Sequence, residues 1–197
     1  MPAQIIRFAE LRPERWTNGG GTTVEIARGP AGAAGADWDW RLSIADVERA
    51  GDFSEFPGME RVLTVIEGEL LVLTVGGAEQ GLERFRPFRF DGGAPASAIL
   101  PTGSVRDLGL ITRRGAFTGY VTILELSKKR PLPLGPGQLG VLLHGQAAVQ
   151  AADAHDAATP LAQYDTVLGG PDEGAAPEVS GRGFLAVVSV VGDAGAA

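Results

Sequence analysis

A chain of 197 residues with 44% hydrophobic and 21% charged side chains is long enough to bury a sizeable core and too apolar for wholesale disorder. Its net charge of −7, from 17 basic and 24 acidic side chains with no long basic stripe, argues against nucleic acid as a partner. The absence of cysteine excludes disulfides, thiolate nucleophiles and thiolate metal sites, and with no export signal or membrane-length apolar run the expected location is cytoplasmic, away from membranes.

In chain order, residues 5–8 read as a short edge strand and residues 11–15 as a turn or one helical turn. Then come Trp16, Thr17, Asn18, Gly19, Gly20, Gly21, Thr22 and Thr23. Three consecutive glycines give more backbone freedom than a plain turn needs and let N–H groups approach a ligand. Trp16, Asn18, Gly20 and Thr22 are therefore candidates for holding a small polar guest. The plainer alternative is a glycine-rich lead into a strand at residues 22–27, with Trp16 plugging one end of the core.

Residues 28–35 are small and turn-forming. Residues 37–46 alternate: Trp38, Trp40, Leu42 and Ile44 fall on one face and Asp39, Arg41, Ser43 and Ala45 on the other, which predicts a strand. Residues 47–57 read as a turn-rich connection pinned by burial of Phe53 and Phe56. Residues 61–66 and 70–75, joined by Glu67, Gly68 and Glu69, have the composition of a hairpin. Further short strands are predicted at 85–90, interrupted by Pro87, and at 96–100, 105–113 and 120–126.

Residues 127–136 read as a charged and then proline-stiffened linker. Short strands follow at 139–143, 145–149, 162–168 and 184–191, with a frayed end from 192. Many short strands divided by Gly and Pro, with no long amphipathic helix, predict an all-β barrel or sandwich. The expected organisation is a ligand-bearing barrel at 1–126, a linker at 127–136 and a smaller β-unit at 137–197.

Two β-rich halves invite comparison with the cupin metal pattern. With Gly68 as its closing glycine, the position of the metal-binding Glu falls on Arg61, and the segment from Pro101 to Arg106 resembles the second motif with Arg106 in place of a histidine. A guanidinium has donors only and stays protonated, so it cannot ligate a cation. No metal or other cofactor is expected.

A more specific resemblance lies in four ordered blocks. They are Trp16 to Thr22; Trp40, Arg41, Leu42, Ser43, Ile44 and Ala45; Gly51, Asp52, Phe53, Ser54, Glu55, Phe56, Pro57 and Gly58, followed by Arg61 and Gly68; and Arg106, Asp107 and Leu108 with Thr112, Arg113 and Arg114. In these the chain resembles the HutD/Ves family, strongly over residues 1–126. The resemblance implies a bicupin, two cupin-like barrels in one chain. One branch of the family is linked to bacterial histidine utilisation, with an accessory role in binding urocanate or formiminoglutamate and restraining expression or flux. The other branch is associated with stress or cold response. Gly109 stands where family members often carry Asn, which removes a polar side chain from the inferred pocket.

Arg41 is then either an anion clamp or half of a structural ion pair, because a charge on a strand is costly to bury alone. Arg61 is a second clamp or a rim salt bridge to Glu55 or Glu60. Ser43 shares the face of Arg41. Arg106 and Asp107 should point to opposite faces; the resemblance selects Asp107 for the pocket and the cupin comparison selects Arg106, and Asp107 is preferred here. His144 and His155, with no third ligand near them, are not expected to hold a metal.

The expected function is capture of a small anionic ligand by a metal-free bicupin, through Trp16, Asn18, Gly20, Thr22, Arg41, Ser43, Arg61 and Asp107. The alternative is a metal-independent isomerase or hydrolase using Glu25, Glu55 or Asp107 as acid or base. A homodimer is compatible with the sequence.

Overall fold

The computed structural model describes residues 3–30, 37–152 and 157–193. His155 and most of the small-residue loop after Gly29 lie outside the described residues. Strands dominate: β1 (Ile5–Ile6), β2 (Pro13–Arg15), β3 (Gly21–Gly29), β4 (Trp40–Val47), β5 (Gly51–Phe53), β6 (Met59–Glu67), β7 (Leu70–Val75), β8 (Ala78–Glu83) and β9 (Phe88–Asp91). They continue as β10 (Ala96–Ile99), β11 (Val105–Arg113), β12 (Phe117–Leu126), β13 (Leu132–Pro133), β14 (Gln138–Gln150), β15 (Thr159–Leu161), β16 (Thr166–Leu168) and β17 (Glu178–Gly192). Helical structure among the described residues is limited to single 3-10 turns at Phe8–Glu10 and Glu173–Ala175.

The all-β class expected from the sequence holds, and the ladders among the described residues form three open sheets instead of closed barrels. The chain divides into two compact units: Arg12–Gly119 with the segment from Val191, and Tyr120–Val190 with the N-terminal residues up to Leu11. The division thus falls within β12, not after residue 126. The expected linker at 127–136 is structured too, because Leu132 and Pro133 pair with Val179 and Glu178 and the Leu134 side chain is fully buried.

The Arg12–Gly119 unit contains a six-stranded sheet, β2-β3-β4-β11-β6-β9, and a four-stranded sheet, β5-β10-β7-β8. Apolar residues from both, among them Val47, Leu63, Val65, Leu71, Leu73 and Ala98, meet in one core cluster. The expected hairpin at 61–75 does not form. Instead β6 pairs with β11 and β9 while β7 pairs with β10 and β8, so Gly68 marks a corner where the chain passes between sheets. Gly68 has φ +85°, and a Cβ there would lie 2.9 Å from the Ser104 carbonyl oxygen, which explains a glycine without a hairpin. The expected helical turn before Trp16 is partly β2, and β5 and β8 are short, largely exposed strands that leave little apolar pattern to read.

In the Tyr120–Val190 unit a seven-stranded sheet runs β1-β16-β14-β17-β12, with β13 on β17 and β15 on β14. β14 fuses two predicted strands across an irregularity between Leu142 and His144. Asp165, 2% exposed, fastens the N-terminal residues to this unit by accepting from Arg7 Nη1 at 2.6 Å and from the Phe8 N–H at 3.0 Å. Among the described residues no helix is long and apolar enough to cross a membrane.

Candidate functional site

Register across the six-stranded sheet assembles the site. Ile111 on β11 pairs with Arg41 on β4 and with Arg61 on β6, so the two arginines flank it in one transverse row. Two residues along β11, Gly109 stands between Ser43 and Leu63; two further on, Asp107 stands between Ala45 and Val65. Because side chains alternate along a strand, Ile111, Gly109 and Asp107 face the same way. At a rise of ~3.4 Å per residue the arginine row and the Asp107 row lie roughly 14 Å apart along the backbone, with Gly109 midway. Above this floor is a cavity of about 310 Å³, lined also by Phe53, Ser54 and Phe56.

Neither arginine forms an ion pair with a described residue. The Arg41 guanidinium lies over the rings of Trp38 at 4.8 Å and Phe56 at 5.5 Å, and its buried Nε has no hydrogen-bond partner. Burial pulls its pKa below the ordinary arginine value, and the nearby Glu25 and Glu14 partly offset this. Arg61 lies over Phe53, Phe56 and Phe90 at 5.4, 5.5 and 5.1 Å and donates one bond, from Nη1 to the Ser54 carbonyl at 3.2 Å. Burial lowers its pKa to about 10, opposed by Asp107 and assisted by Arg41, so it stays charged at neutral pH. The rim salt bridge considered for Arg61 is absent, since Glu60 pairs with Arg89 and Glu55 is exposed. Aromatic rings thus occupy the guanidinium faces and leave most in-plane N–H donors unspent.

Asp107 is 5% exposed and forms no hydrogen bond or ion pair with a described residue. Burial raises its pKa to about 7, Arg61 pulling it down and Asp46 pushing it up. Arg106 points the other way, as the alternation required, donating from Nε to Asp46 at 2.6 Å and from Nη1 to Glu67 at 3.4 Å. Of the carboxylates considered for acid-base work, only Asp107 lines the cavity; Glu25 pairs with Arg28.

The glycine loop differs from expectation. Trp16 and Asn18 line the cavity, but Gly20 and Thr22 do not. The Gly19 N–H donates to the Trp16 carbonyl at 3.0 Å and the Gly20 N–H to Asn18 Oδ1 at 2.9 Å, so these groups are satisfied within the loop. Thr22 turns its hydroxyl to Asp46 at 3.5 Å, and its neighbour Thr23 faces inward, accepting the Trp16 indole N–H at 2.7 Å. Gly21 is present for close approach, because a Cβ would sit 2.0 Å from the Asp46 carbonyl oxygen. Trp38, placed by the alternation with Leu42, lies before β4 and packs with Met59 and Ile111 under Arg41. Sequence reasoning took Thr22 in place of its neighbour Thr23, and it missed the aromatic seats of the arginines, of which only Trp38 beside Arg41 is close in sequence, while Phe56 under Arg41 and Phe90 under Arg61 come from other segments.

The sequence profile of the HutD family matches residues 8–187. The chain belongs to the HutD family. Over 109 residues this HutD-family chain is 40% identical to an uncharacterised 21.2 kDa protein of the hutC 3′ region of Pseudomonas putida, a match covering 55% of the chain and 57% of the relative. Over 112 residues it is 43% identical to Protein Ves of Citrobacter koseri, covering 56% and 58%. These matches span little more than half the length of those relatives. HutD from Pseudomonas fluorescens superposes with a TM-score of 0.78 at 29% identity over 98% of this chain and 100% of that one. A cupin 2 conserved barrel domain protein from Leptotrichia buccalis, at 11% identity and a TM-score of 0.60 over 98% of both chains, identifies the fold as cupin.

Metal chemistry of the cupin kind does not fit this HutD-family site. The positions compared with metal ligands hold Arg61, seated on aromatic rings, and Arg106, paired with Asp46 and Glu67. Among the described residues no group of three or more His, Asp or Glu side chains could hold a metal ion.

Proposed function

We propose that this protein binds a small carboxylate-bearing molecule of histidine degradation, of the urocanate or formiminoglutamate type, in the cavity of the Arg12–Gly119 unit, and so modulates histidine utilisation in the cytoplasm. The observation that carries the reading is Arg41: a half-buried guanidinium with no ion-pair partner among the described residues and an orphaned Nε, lining the cavity. A carboxylate meets its planar fork with two parallel hydrogen bonds and supplies the missing countercharge. Arg61 offers a second set of donors on the same row. Kinship with the protein of the hutC 3′ region directs the choice of guest toward histidine catabolism.

Calorimetric titration of the purified chain with urocanate and formiminoglutamate tests this. Binding to the intact protein and none to Arg41→Ala supports the reading, and equal affinities remove Arg41 from the site. A second reading, a metal-independent acid-base enzyme, draws on the cavity position of Asp107 and its pKa near neutrality. Turnover of the same compounds, lost in Asp107→Asn, would favour it over simple capture.

A further inference from the structure

The cavity's two ends are chemically unlike, and that difference bears on which carboxylates fit. At one end stand Arg41 and Arg61. At the other stands Asp107, buried and without a hydrogen-bond partner among the described residues, with the Ser43 hydroxyl on the same side of the sheet. Between them Gly109 leaves the floor open: a Cβ there would find its nearest neighbours, Asp107 Oδ1 and Ser43 Oγ, at 3.6 and 3.7 Å. Trp16 has already given its indole N–H to Thr23, so what it offers the cavity is apolar ring surface and no side-chain donor.

We propose that the site selects monocarboxylates whose far end carries a flat N–H donor, received by Asp107, and discriminates against dicarboxylates, so that of the two guests named above it takes urocanate in preference to formiminoglutamate, which carries a second carboxylate. This rests on the anion-binding reading above and adds a specificity-determining residue to it. A buried carboxyl group with no hydrogen bond is costly to leave in that state. A ring N–H gives it the missing partner and lets it ionise, and the resulting charge-assisted bond is stronger than a neutral one. A second carboxylate would instead press two desolvated acids together, so that one must take up a proton. The net charge also closes, since two guanidinium groups are balanced by one guest carboxylate and an ionised Asp107.

Three probes test the assignment by calorimetry at pH 7.5 on the full chain: urocanate; 3-(2-furyl)acrylate, which keeps the carboxylate and a five-membered ring but lacks an N–H; and glutarate. In the unaltered protein urocanate should bind about tenfold or more tighter than either of the others. Asp107→Leu should abolish that preference, and Asp107→Asn, which retains an acceptor and the side-chain shape, should reduce it. Furylacrylate or glutarate binding as tightly as urocanate, or a preference unchanged in a folded Asp107 variant, overturns the proposal while leaving anion capture intact. Failure of all three probes to bind overturns both.

Discussion

Arg41 and Arg61 hold their guanidinium groups over the same ring, that of Phe56, each at 5.5 Å. Phe56 thereby packs against both of the like charges that the register of β4, β11 and β6 brings to either side of Ile111, and Arg41 still lowers the pKa of Arg61. An anionic guest of the kind proposed would relieve part of this repulsion, and the loss of either charge should be felt in affinity more than in folding.

Arg41→Ala should therefore weaken carboxylate binding by about 2–5 kcal/mol, the usual cost of removing one side of a desolvated charge pair. The melting temperature of the free protein should hardly fall, because Arg41 makes no ion pair with a described residue. Arg41→Lys should recover only part of the affinity, since an ammonium offers no planar fork. Titration and thermal unfolding of both variants read this; a variant that loses stability and affinity together would assign Arg41 a structural task.

Stability should fall with rising pH through the titration of Asp107. Its pKa lies at about 7 in the folded chain against an ordinary 3.8, so between those values the folded state holds more protons than the unfolded state. This group's contribution is greatest below pH ~4, declines as pH rises and is gone above pH ~7, with an amplitude of up to about 4 kcal/mol. Asp107→Asn removes the slope, so the variant should improve relative to the parent between pH 5 and pH 8. Urea unfolding of both proteins at the two pH values checks this, and parallel curves would refute it.

Gly109 tests the cavity itself. Its φ is not in the left-handed region, and a Cβ would make only ordinary contacts, so Gly109→Ala should fold and still bind. Gly109→Leu should fold as well but fill the space between Asp107 and Ser43, reducing affinity at least tenfold, on the order of 1.4 kcal/mol. Crystallography or thermal shift with urocanate distinguishes a blocked pocket from an unfolded chain.

Gly21→Ala should behave oppositely. The added carbon would sit 2.0 Å from the backbone oxygen of Asp46, which cannot move without breaking the β3–β4 pairing. A loss of about 2–3 kcal/mol is expected, visible as a lower melting temperature before any ligand is added.

How far the sequence revealed this site follows from the range of the interactions concerned. Arg41 and Ser43 were legible because strand parity is local, and the same parity separated Asp107 from Arg106. Thr22 and Thr23 were exchanged because a run of glycines carries no side chains to mark which residue begins the alternation. Gly20 looked like a donor to a guest because composition does not show that Asn18, two residues away, already takes its N–H. The turn at Gly68 has hairpin chemistry, and only Ser104 and Val105, far along the chain, make it a corner. Phe53 and Phe56 announced burial, but not that guanidinium groups would be what they bury against.

The floor of the cavity belongs to the six-stranded sheet, whereas Phe53 lines it from β5 of the four-stranded sheet, and among the described residues no hydrogen-bonded ladder joins the two. A guest of the proposed kind, touching both, would act as a clasp across that seam. Its arrival should then register in the breathing of the backbone, as slower deuterium uptake at residues 51–56, and capture would be a change in stiffness as well as in occupancy.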